Sequence, residues 1–268
     1  MKAVVEQPAN LPISALVVCL NEGKILGRCL ASIRFCDEIV VYDLGSTDNS
    51  AEIARAAGAV VRIHKRVPHA EIIYSSEFPK LKHDWILLTD PDEELNAELK
   101  KEVLERFSAI PKRTGAVRVP MQYYFKSHAL KGTIWGGISN HRFLINRNRA
   151  YFRPLVNTAA FIKDGYEMEA WPYRRGLIHH YWMSSYREFF SKHRRYLKEE
   201  GKARYERGDR VGYLGIIRSP WRSFHESFFT KKGYLDGLLG LSLSLFWAWY
   251  NTSAMVRLKR EQIKRRGI

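Results

Sequence analysis

The sequence predicts an α/β fold in which a mostly parallel sheet is covered by helices on both faces. Two observations support this prediction. Through about residue 110, apolar strand-like runs alternate with segments of helical periodicity, which is the order typical of parallel sheets. These runs are apolar along their length, as expected where both faces of a sheet are buried. The 268 residues are 46% hydrophobic, so the chain can bury a sizeable core.

The first part of the chain contains the clearest strands and helices. Its second predicted helix opens on Ser46 and Thr47 as caps and closes on Gly58, a common C-terminal signal. The predicted strands cover residues 13–20, 38–43, 59–64 and 84–90, and the predicted helices cover residues 24–34 and 46–58.

The pattern changes from about Gly115 to short β-like pieces joined by turns that contain Gly and Asn. A long charged amphipathic helix is predicted from about Ser185 to Arg207. The last part of the chain combines aromatic, apolar and basic residues. We therefore divide the chain into residues 1–110, 111–210 and 211–268.

The charge and the cysteines limit the class of protein. A net charge of +16 predicts an anionic partner, either nucleic acid, a membrane surface or a phosphate-rich substrate. We expect no nucleic acid, because there is no helix-turn-helix or RNA-recognition motif and acidic residues follow the strands. Cys19, Cys29 and Cys36 are odd in number and lack metal-site spacing, which indicates reduced, buried thiols in a cytosolic compartment. The first residues, MKAVVEQPANLP, carry no pattern of a secretory signal.

Polar residues follow each predicted strand of the first part of the chain. In open α/β sheets, ligands bind beyond the carboxyl ends of the strands. Side chains from several loops are therefore expected to converge on one site. They are Asn21 and Glu22 after the first strand, Asp43 after the second, His64 and Lys65 after the third, and Asp90 and Asp92 after the fourth.

The stretch WILLTDPDEEL, residues 85–95, joins an apolar strand to a cluster of carboxylates. A plain explanation is an acidic helix start, since carboxylates stabilise a helix N-terminus. A second explanation is a divalent cation, because Mg²⁺ is held by one or two carboxylates together with substrate phosphates. The position of Asp90 and Asp92 at a strand end favours the cation. His179 and His180, in a later strand-like stretch, are either core histidines or a source of one further ligand.

In combination, these motifs resemble the family 2 inverting glycosyltransferases, which have a GT-A fold. The similarity is greatest to the branch that contains lipopolysaccharide-core glucosyltransferases and related bacterial surface-polysaccharide enzymes. It covers CLNEGKILGRCLASIRFCDEIVVYDLGSTDNSAEIARAAGA, then DWILLTDPDEEL, IHHY, YREFFSKHRRY, SPWRSF and KKGYLDGLLGLSLSLFWAWY in order. It implies that residues 1–110 bind the nucleotide sugar and that residues 111–210 form the acceptor side.

The resemblance also implies roles for individual residues. Asn21, Glu22 and Asp43 would line the nucleotide pocket, and Asp90 would reach the diphosphate. Asp90, Asp92 and His180 would hold Mg²⁺ or Mn²⁺, with Asp92 the firmer ligand. The donor would be a nucleotide sugar, with a UDP-sugar expected, and the acceptor lipopolysaccharide or a lipid-linked glycan.

This chain departs from the family at the residues expected to supply the general base. The family often has His-Glu on the acceptor side, where this chain has Asn157 and Thr158, and a Lys-Asn pair where it has EIIYSSEFPK. A carboxylate must still accept the acceptor proton in an inverting transfer. The candidates are Asp164, Glu167 and Glu169, with Glu93 as the alternative.

The segment from Gly237 to Val256 has no charged residue and is about long enough to span a bilayer. Polar residues within it and basic residues on both sides favour a helix that lies in the membrane interface or re-enters it. Residues 211–268 are thus expected to attach the protein, as a peripheral or monotopic one, to anionic lipid on the cytoplasmic face of the bacterial inner membrane. The alternative is a buried helix of a soluble core. For the whole protein, the alternative is an inactive module that binds a glycolipid or a partner.

Overall fold

The computed structural model describes residues 10–265. The expectation that the chain lacks a secretory signal was drawn from residues 1–12, most of which lie outside the described residues. Two sheets and seven α-helices make up this part of the chain.

The central sheet has 10 strands, in the order β3-β2-β1-β4-β8-β6-β12-β5, and β7 and β11 pair with β6 outside this order. Strands β1 to β4 are parallel to one another, β8 is antiparallel to its neighbours β4 and β6, and β12 is parallel to β6. The strands are β1 Leu11–Cys19, β2 Cys36–Asp43, β3 Val60–Ile63, β4 Trp85–Leu88, β5 Glu93–Leu95, β6 Thr114–Phe125, β7 His128–Ala129, β8 Ile138–Asn146, β9 Ala150–Tyr151, β10 Phe161–Ile162, β11 Glu167–Ala170 and β12 Ile178–Met183. The second sheet consists of β9 and β10.

Helices cover both faces of the central sheet, which confirms the predicted fold class. Apolar residues of α1, α2 and α4 pack on one face, and Ile73 of α3 packs on the other. The helices are α1 Gly23–Ser32, α2 Ser50–Ala56, α3 Glu71–Glu77, α4 Ala97–Arg106, α5 Tyr186–Glu206, α6 Tyr213–His225 and α7 Gly237–Arg265.

The second predicted helix begins later than its sequence indicates. Helix α2 starts at Ser50, and its N-cap Asn49 makes no side-chain cap bond. Ser46 and Thr47 do not cap it, because both bind Asn21 of the preceding βα loop instead. The predicted end is correct, since Gly58 follows the helix with a φ of +84°. The loops after β1 and β2 are therefore held together by side chains.

The predicted long helix is α5, and Ser185 caps it by accepting a hydrogen bond from the Glu188 amide at 3.2 Å. Helix α5 packs against α7, where Leu243, Phe246 and Tyr250 lie in a third buried core with Phe189 of α5. The uncharged segment 237–256 thus has one face against the protein. Among residues 10–265, no helix is long and apolar enough to cross a membrane.

Candidate active site

A cavity of about 670 Å³ lies at the carboxyl edge of the parallel strands. Glu22 after β1 and Leu44 after β2 line it, together with Asp90 and Asp92 after β4. Helix α3 closes one side with Glu71, and α5 and α7 close another. The cavity is therefore where the sequence predicted that strand-end residues converge.

The centre of the cavity is a group of acidic side chains around His180. Strand register creates it, because His180 of β12 pairs with Glu93 of β5 on one side and with Tyr123 of β6 on the other. His180 Nε2 lies 3.3 Å from Asp92 Oδ2, and His180 Nδ1 lies 3.6 Å from Glu93 Oε1. Asp90, Glu93 and His180 each offer a ligand atom within 4.8 Å of the others.

Burial and mutual repulsion shift the pKa values of these acids. Burial raises the pKa of Glu93 to about 8, and Asp90 and Asp92 add to the rise. The pKa of Asp90 is also raised, by burial and then by Asp92. Burial acts against ionisation of Asp92 too, but His180 and Lys192 hold its pKa below the ordinary value. The group therefore carries fewer negative charges than its composition indicates.

A metal ion fits this group of residues. Both ring nitrogens of His180 are buried, with Asp92 and Glu93 at 3.3 and 3.6 Å, but neither nitrogen makes a well-aligned hydrogen bond among residues 10–265. Buried polar groups normally make well-formed hydrogen bonds, so this imidazole among carboxylates fits a ligand from outside the chain. Carboxylate oxygens suit Mg²⁺ and Mn²⁺, and imidazole can add a ligand. The structure brings the predicted residues Asp90, Asp92 and His180 together, but the three whose ligand atoms lie within 4.8 Å of one another are Asp90, Glu93 and His180. Asp92, predicted to be the firmer ligand, instead pairs with His180 at 3.3 Å.

Lys192 of α5 is a second charged residue at the cavity that the sequence prediction missed. It lines the cavity, and its pKa is raised, since Asp92, Tyr196 and Asp90 outweigh its burial. It places a persistent positive charge facing the carboxylates. The periodicity of YREFFSKHRRY contained a signal for it, because Lys192 and Tyr196 are one helical turn apart, on the same side as the buried Phe189.

The other predicted donor-side residues have two different roles. Glu22 lines the cavity, and burial followed by repulsion from Asp92 and Asp90 raises its pKa to about 8. Asn21 is exposed, and its Oδ1 accepts a hydrogen bond from the Thr47 amide at 2.7 Å. The buried Asp43 accepts a hydrogen bond from the Ser46 amide at 2.8 Å. Asn21 and Asp43 therefore shape the two loops beside the cavity.

Three of the four predicted bases do not lie at the cavity. Asp164 and Glu167 are exposed, and Glu169 bonds to Trp171 Nε1 at 3.0 Å. The reason is strand pairing: β11 pairs with the first half of β6, whereas His180 pairs with its far end. At about 3.3 Å per residue, Glu169 and His180 are about 20 Å apart along β6. The fourth candidate, Glu93, lies at the cavity.

Comparison with known proteins agrees with this geometry. The model of Glycosyl transferase family 2 matches residues 14–198, more than half of the chain. An uncharacterized glycosyltransferase of Rickettsia typhi is 23% identical over 265 residues, which are 96% of this chain and 89% of that protein. The lipopolysaccharide core biosynthesis glycosyltransferase LpsC of Rhizobium meliloti is 33% identical over 105 residues, or 37% of this chain and 38% of that protein.

Solved structures were compared with this chain as well. A crystal structure of Staphylococcus aureus TarS aligns with 96% of this chain and 92% of its own, at 13% identity and a TM-score of 0.48. The family match, the strand-end cavity and its acidic cluster lead to one conclusion. The chain belongs to glycosyl transferase family 2 and is a glycosyltransferase.

Proposed function

We propose that the protein is a metal-dependent inverting transferase that moves a sugar from a nucleotide sugar, expected to be a UDP-sugar, to a lipopolysaccharide or lipid-linked glycan acceptor. One observation carries this proposal. Asp90, Glu93 and the buried His180 meet in the cavity at the carboxyl edge of the sheet, with their ligand atoms within 4.8 Å of one another. Such a group suits a divalent cation that in turn binds a diphosphate.

The residues of the chain divide the work of binding the donor. Asp90, Glu93 and His180 would hold Mg²⁺ or Mn²⁺, with Asp92 beside them, and the ion would supply positive charge to the departing diphosphate. Glu22 lies on the side of the loops that follow β1 and β2, where the nucleotide is expected. Lys192 adds a fixed positive charge that favours the diphosphate from the side of α5.

The reaction also needs a group that accepts a proton. The acceptor oxygen bonds to the anomeric carbon, the bond from that carbon to the diphosphate breaks, and the acceptor proton passes to a carboxylate. We assign Glu71 of α3 as this base. Its Oε2 lies 3.0 Å from His69 Nδ1, and its side chain is 16% exposed in the cavity wall.

The remaining carboxylates of the cavity suit this role less well. Glu93 accepts hydrogen bonds from Thr89 and from the Asp90 amide and belongs to the metal group. Glu200 accepts from Arg204 and Asn157 at 2.9 and 2.8 Å, so its charge is already neutralised. Within residues 10–265, Glu71 has no cation at ion-pair distance other than His69, and it does not belong to the metal group.

A lipid-linked acceptor is supported by a relative and by the surface. The name of the Rhizobium meliloti relative assigns that protein to lipopolysaccharide core biosynthesis. Helix α6 of this chain exposes large apolar residues: Tyr213 66%, Leu214 58%, Ile217 75% and Trp221 68%. Large contiguous apolar surface on a protein marks a binding face. We call these four residues the outer α6 surface.

The packing of α6 is inverted relative to that of a helix in a soluble core. Its buried positions are Ser219 and Ser223, which bond to Thr252 and Asn251 of α7 at 2.9 and 2.8 Å. Small hydroxyl residues inside and large apolar residues outside are typical of helices that face lipid. Exposed Arg218 and Arg222 add positive charge that suits anionic lipid. These features support our proposal that the protein is a peripheral or monotopic one on the cytoplasmic face of the bacterial inner membrane.

A screen for turnover of nucleotide sugars tests the proposed activity. The purified protein is incubated with single UDP-, GDP- and TDP-sugars and Mn²⁺, with and without a lipopolysaccharide extract, and released nucleotide diphosphate is measured. The proposal predicts turnover with one donor class, stimulated by the extract. A protein that binds a nucleotide diphosphate but turns over no donor would instead support an inactive module that binds a glycolipid.

A further inference from the structure

Arg142 of β8 is a cavity residue that the donor chemistry does not use. It lines the same cavity as the metal group. Its Nη1 is closed off from solvent and has no hydrogen-bond partner among residues 10–265. By contrast, Arg204 at the cavity lies 2.9 Å from Glu200. A guanidinium that is partly buried without a partner is unfavourable unless an anion from outside completes it.

The side chains around Arg142 repel its positive charge more than they neutralise it. Its cross-strand neighbour on β6 is Arg118. Burial and then Arg118 lower the pKa of Arg142, and only Glu71 acts in the opposite direction. Burial, His180 and Arg142 lower the pKa of the adjacent His141 to about 3, so that ring stays neutral. Lys192 differs, because carboxylates surround it and raise its pKa.

The position of Arg142 in the sheet separates it from the nucleotide side. In the order β2-β1-β4-β8, the metal group follows β4, the nucleotide-side loops follow β1 and β2, and Arg142 lies on β8 beyond β4. Phe152, Asn157 and Thr158 also line the cavity. An anion at Arg142 would therefore lie across the metal group from the nucleotide.

We infer that Arg142 forms an oxyanion subsite, which binds a phosphate or carboxylate group of the acceptor. This inference rests on the proposed function, since it concerns the second substrate of the same cavity. A guanidinium suits both groups, because its planar fork matches two oxygens of either one. Glu71 lines the same cavity and its charge acts on Arg142, so an acceptor held at Arg142 would share the cavity with the proposed base.

The subsite is tested by binding rather than by turnover. Glucose, glucose 6-phosphate and glucuronate are titrated calorimetrically into the protein, with and without UDP and Mn²⁺. We expect the wild type to bind at least one of the two anionic sugars about 10–100-fold more tightly than glucose, the range for a charged hydrogen-bonded contact. Arg142→Gln should lose this preference, and Arg142→Lys should keep part of it.

Two controls and a stability measurement accompany this test. Arg118→Gln removes a neighbouring charge outside the cavity and should keep the preference. The affinity of Arg142→Gln for UDP with Mn²⁺ should change less than about threefold, because Arg142 is not expected to contact UDP. Loss of a hydrogen bond between a charged group and UDP would weaken binding by more than that. The melting temperature of Arg142→Gln should not fall, because the arginine is uncompensated in the free protein.

Several results would overturn the inference. They are equal affinity of the wild type for all three sugars, an unchanged preference in Arg142→Gln, or loss of UDP binding in that variant, which would assign Arg142 to the donor. Failure of UDP to bind the wild type would contradict the proposed function instead. The preference for anionic sugars is measured without UDP as well, so the two failures remain distinguishable.

Discussion

At the scale of single residues, burial disfavours the ionised form of several carboxyl groups of the site. The pKa of Glu93 and that of Glu22 are both raised to about 8, with burial as the largest cause. A carboxyl group whose pKa is higher in the folded protein than in the unfolded chain destabilises the folded state as pH rises from the unfolded pKa to the folded pKa. For Glu93 in the metal-free protein, this means that the free energy of unfolding is at its full value below about pH 4.5 and falls as pH rises from 4.5 to 8.

This sign gives a prediction for Glu93→Gln. At low pH the variant is nearly isosteric with the protonated acid, so its stability should be close to that of the wild type. As pH rises from about 4.5 to 8, the variant should become progressively more stable than the wild type, because it cannot ionise. Urea unfolding in the presence of EDTA measures the difference. A gap that stays constant across this range, or that narrows, contradicts the raised pKa.

The proposed base gives a second prediction at this scale. Glu71→Gln should lower sugar transfer by about 10²–10⁴, the usual effect of losing a general base. Binding of UDP with Mn²⁺ should persist, because Glu71 does not belong to the metal group. Asp164→Asn, Glu167→Gln and Glu169→Gln serve as matched controls and should transfer normally. Near-normal transfer by Glu71→Gln would exclude it as the base.

At the scale of elements, hydrophobic periodicity and capping residues predicted the start of the long helix α5. Helix α5 begins after Ser185 as predicted, because a capping serine precedes an amphipathic pattern. The metal residues Asp90 and His180 were predicted from a strand end and from the resemblance. Asp164, Glu167 and Glu169 were misplaced because the sequence does not reveal which end of β6 pairs with β11. Arg142 was missed because its significance lies in having no hydrogen-bond partner for Nη1 among residues 10–265. Lys192 was missed because the carboxylates that it faces, Asp90 and Asp92, are about 100 residues away in the sequence.

Helix α6 gives the prediction at this scale. The double variant Ile217→Ser, Trp221→Ser should lose binding to vesicles that contain anionic phosphatidylglycerol, because it removes the two most exposed large apolar residues of α6. Ile63→Ser, a residue 68% exposed on β3, is the control and should bind as the wild type does. Vesicle flotation measures the bound fraction.

Salt and oligomeric state distinguish lipid from other partners of α6. High salt should release the wild type only in part, because screening weakens the charge contribution but not apolar burial. If the double variant still floats with the vesicles, α6 is not the membrane contact. If the wild type ignores vesicles but forms dimers that the double variant cannot form, the outer α6 surface is instead an interface between copies of the chain.

At the scale of the whole molecule, α7 connects the active-site cavity with α6, the helix that we propose contacts the membrane. Trp247 and Tyr250 of α7 line the cavity, while Asn251 and Thr252 of the same helix bond to α6. One helix thus separates the proposed lipid contact from the site of transfer. This arrangement suits an acceptor that is anchored in the bilayer and reaches the cavity along its surface.

The central claim is that Asp90, Glu93 and His180 bind a divalent cation that holds the nucleotide diphosphate. Calorimetric titration of UDP into the wild type and into His180→Ala, in Mn²⁺ and then in EDTA, tests it most directly. We predict that the wild type binds UDP only with Mn²⁺, and that His180→Ala folds normally but loses about 10–100-fold in affinity, the usual effect of weakening a metal site. Equal binding of UDP by the wild type in Mn²⁺ and in EDTA would contradict the claim.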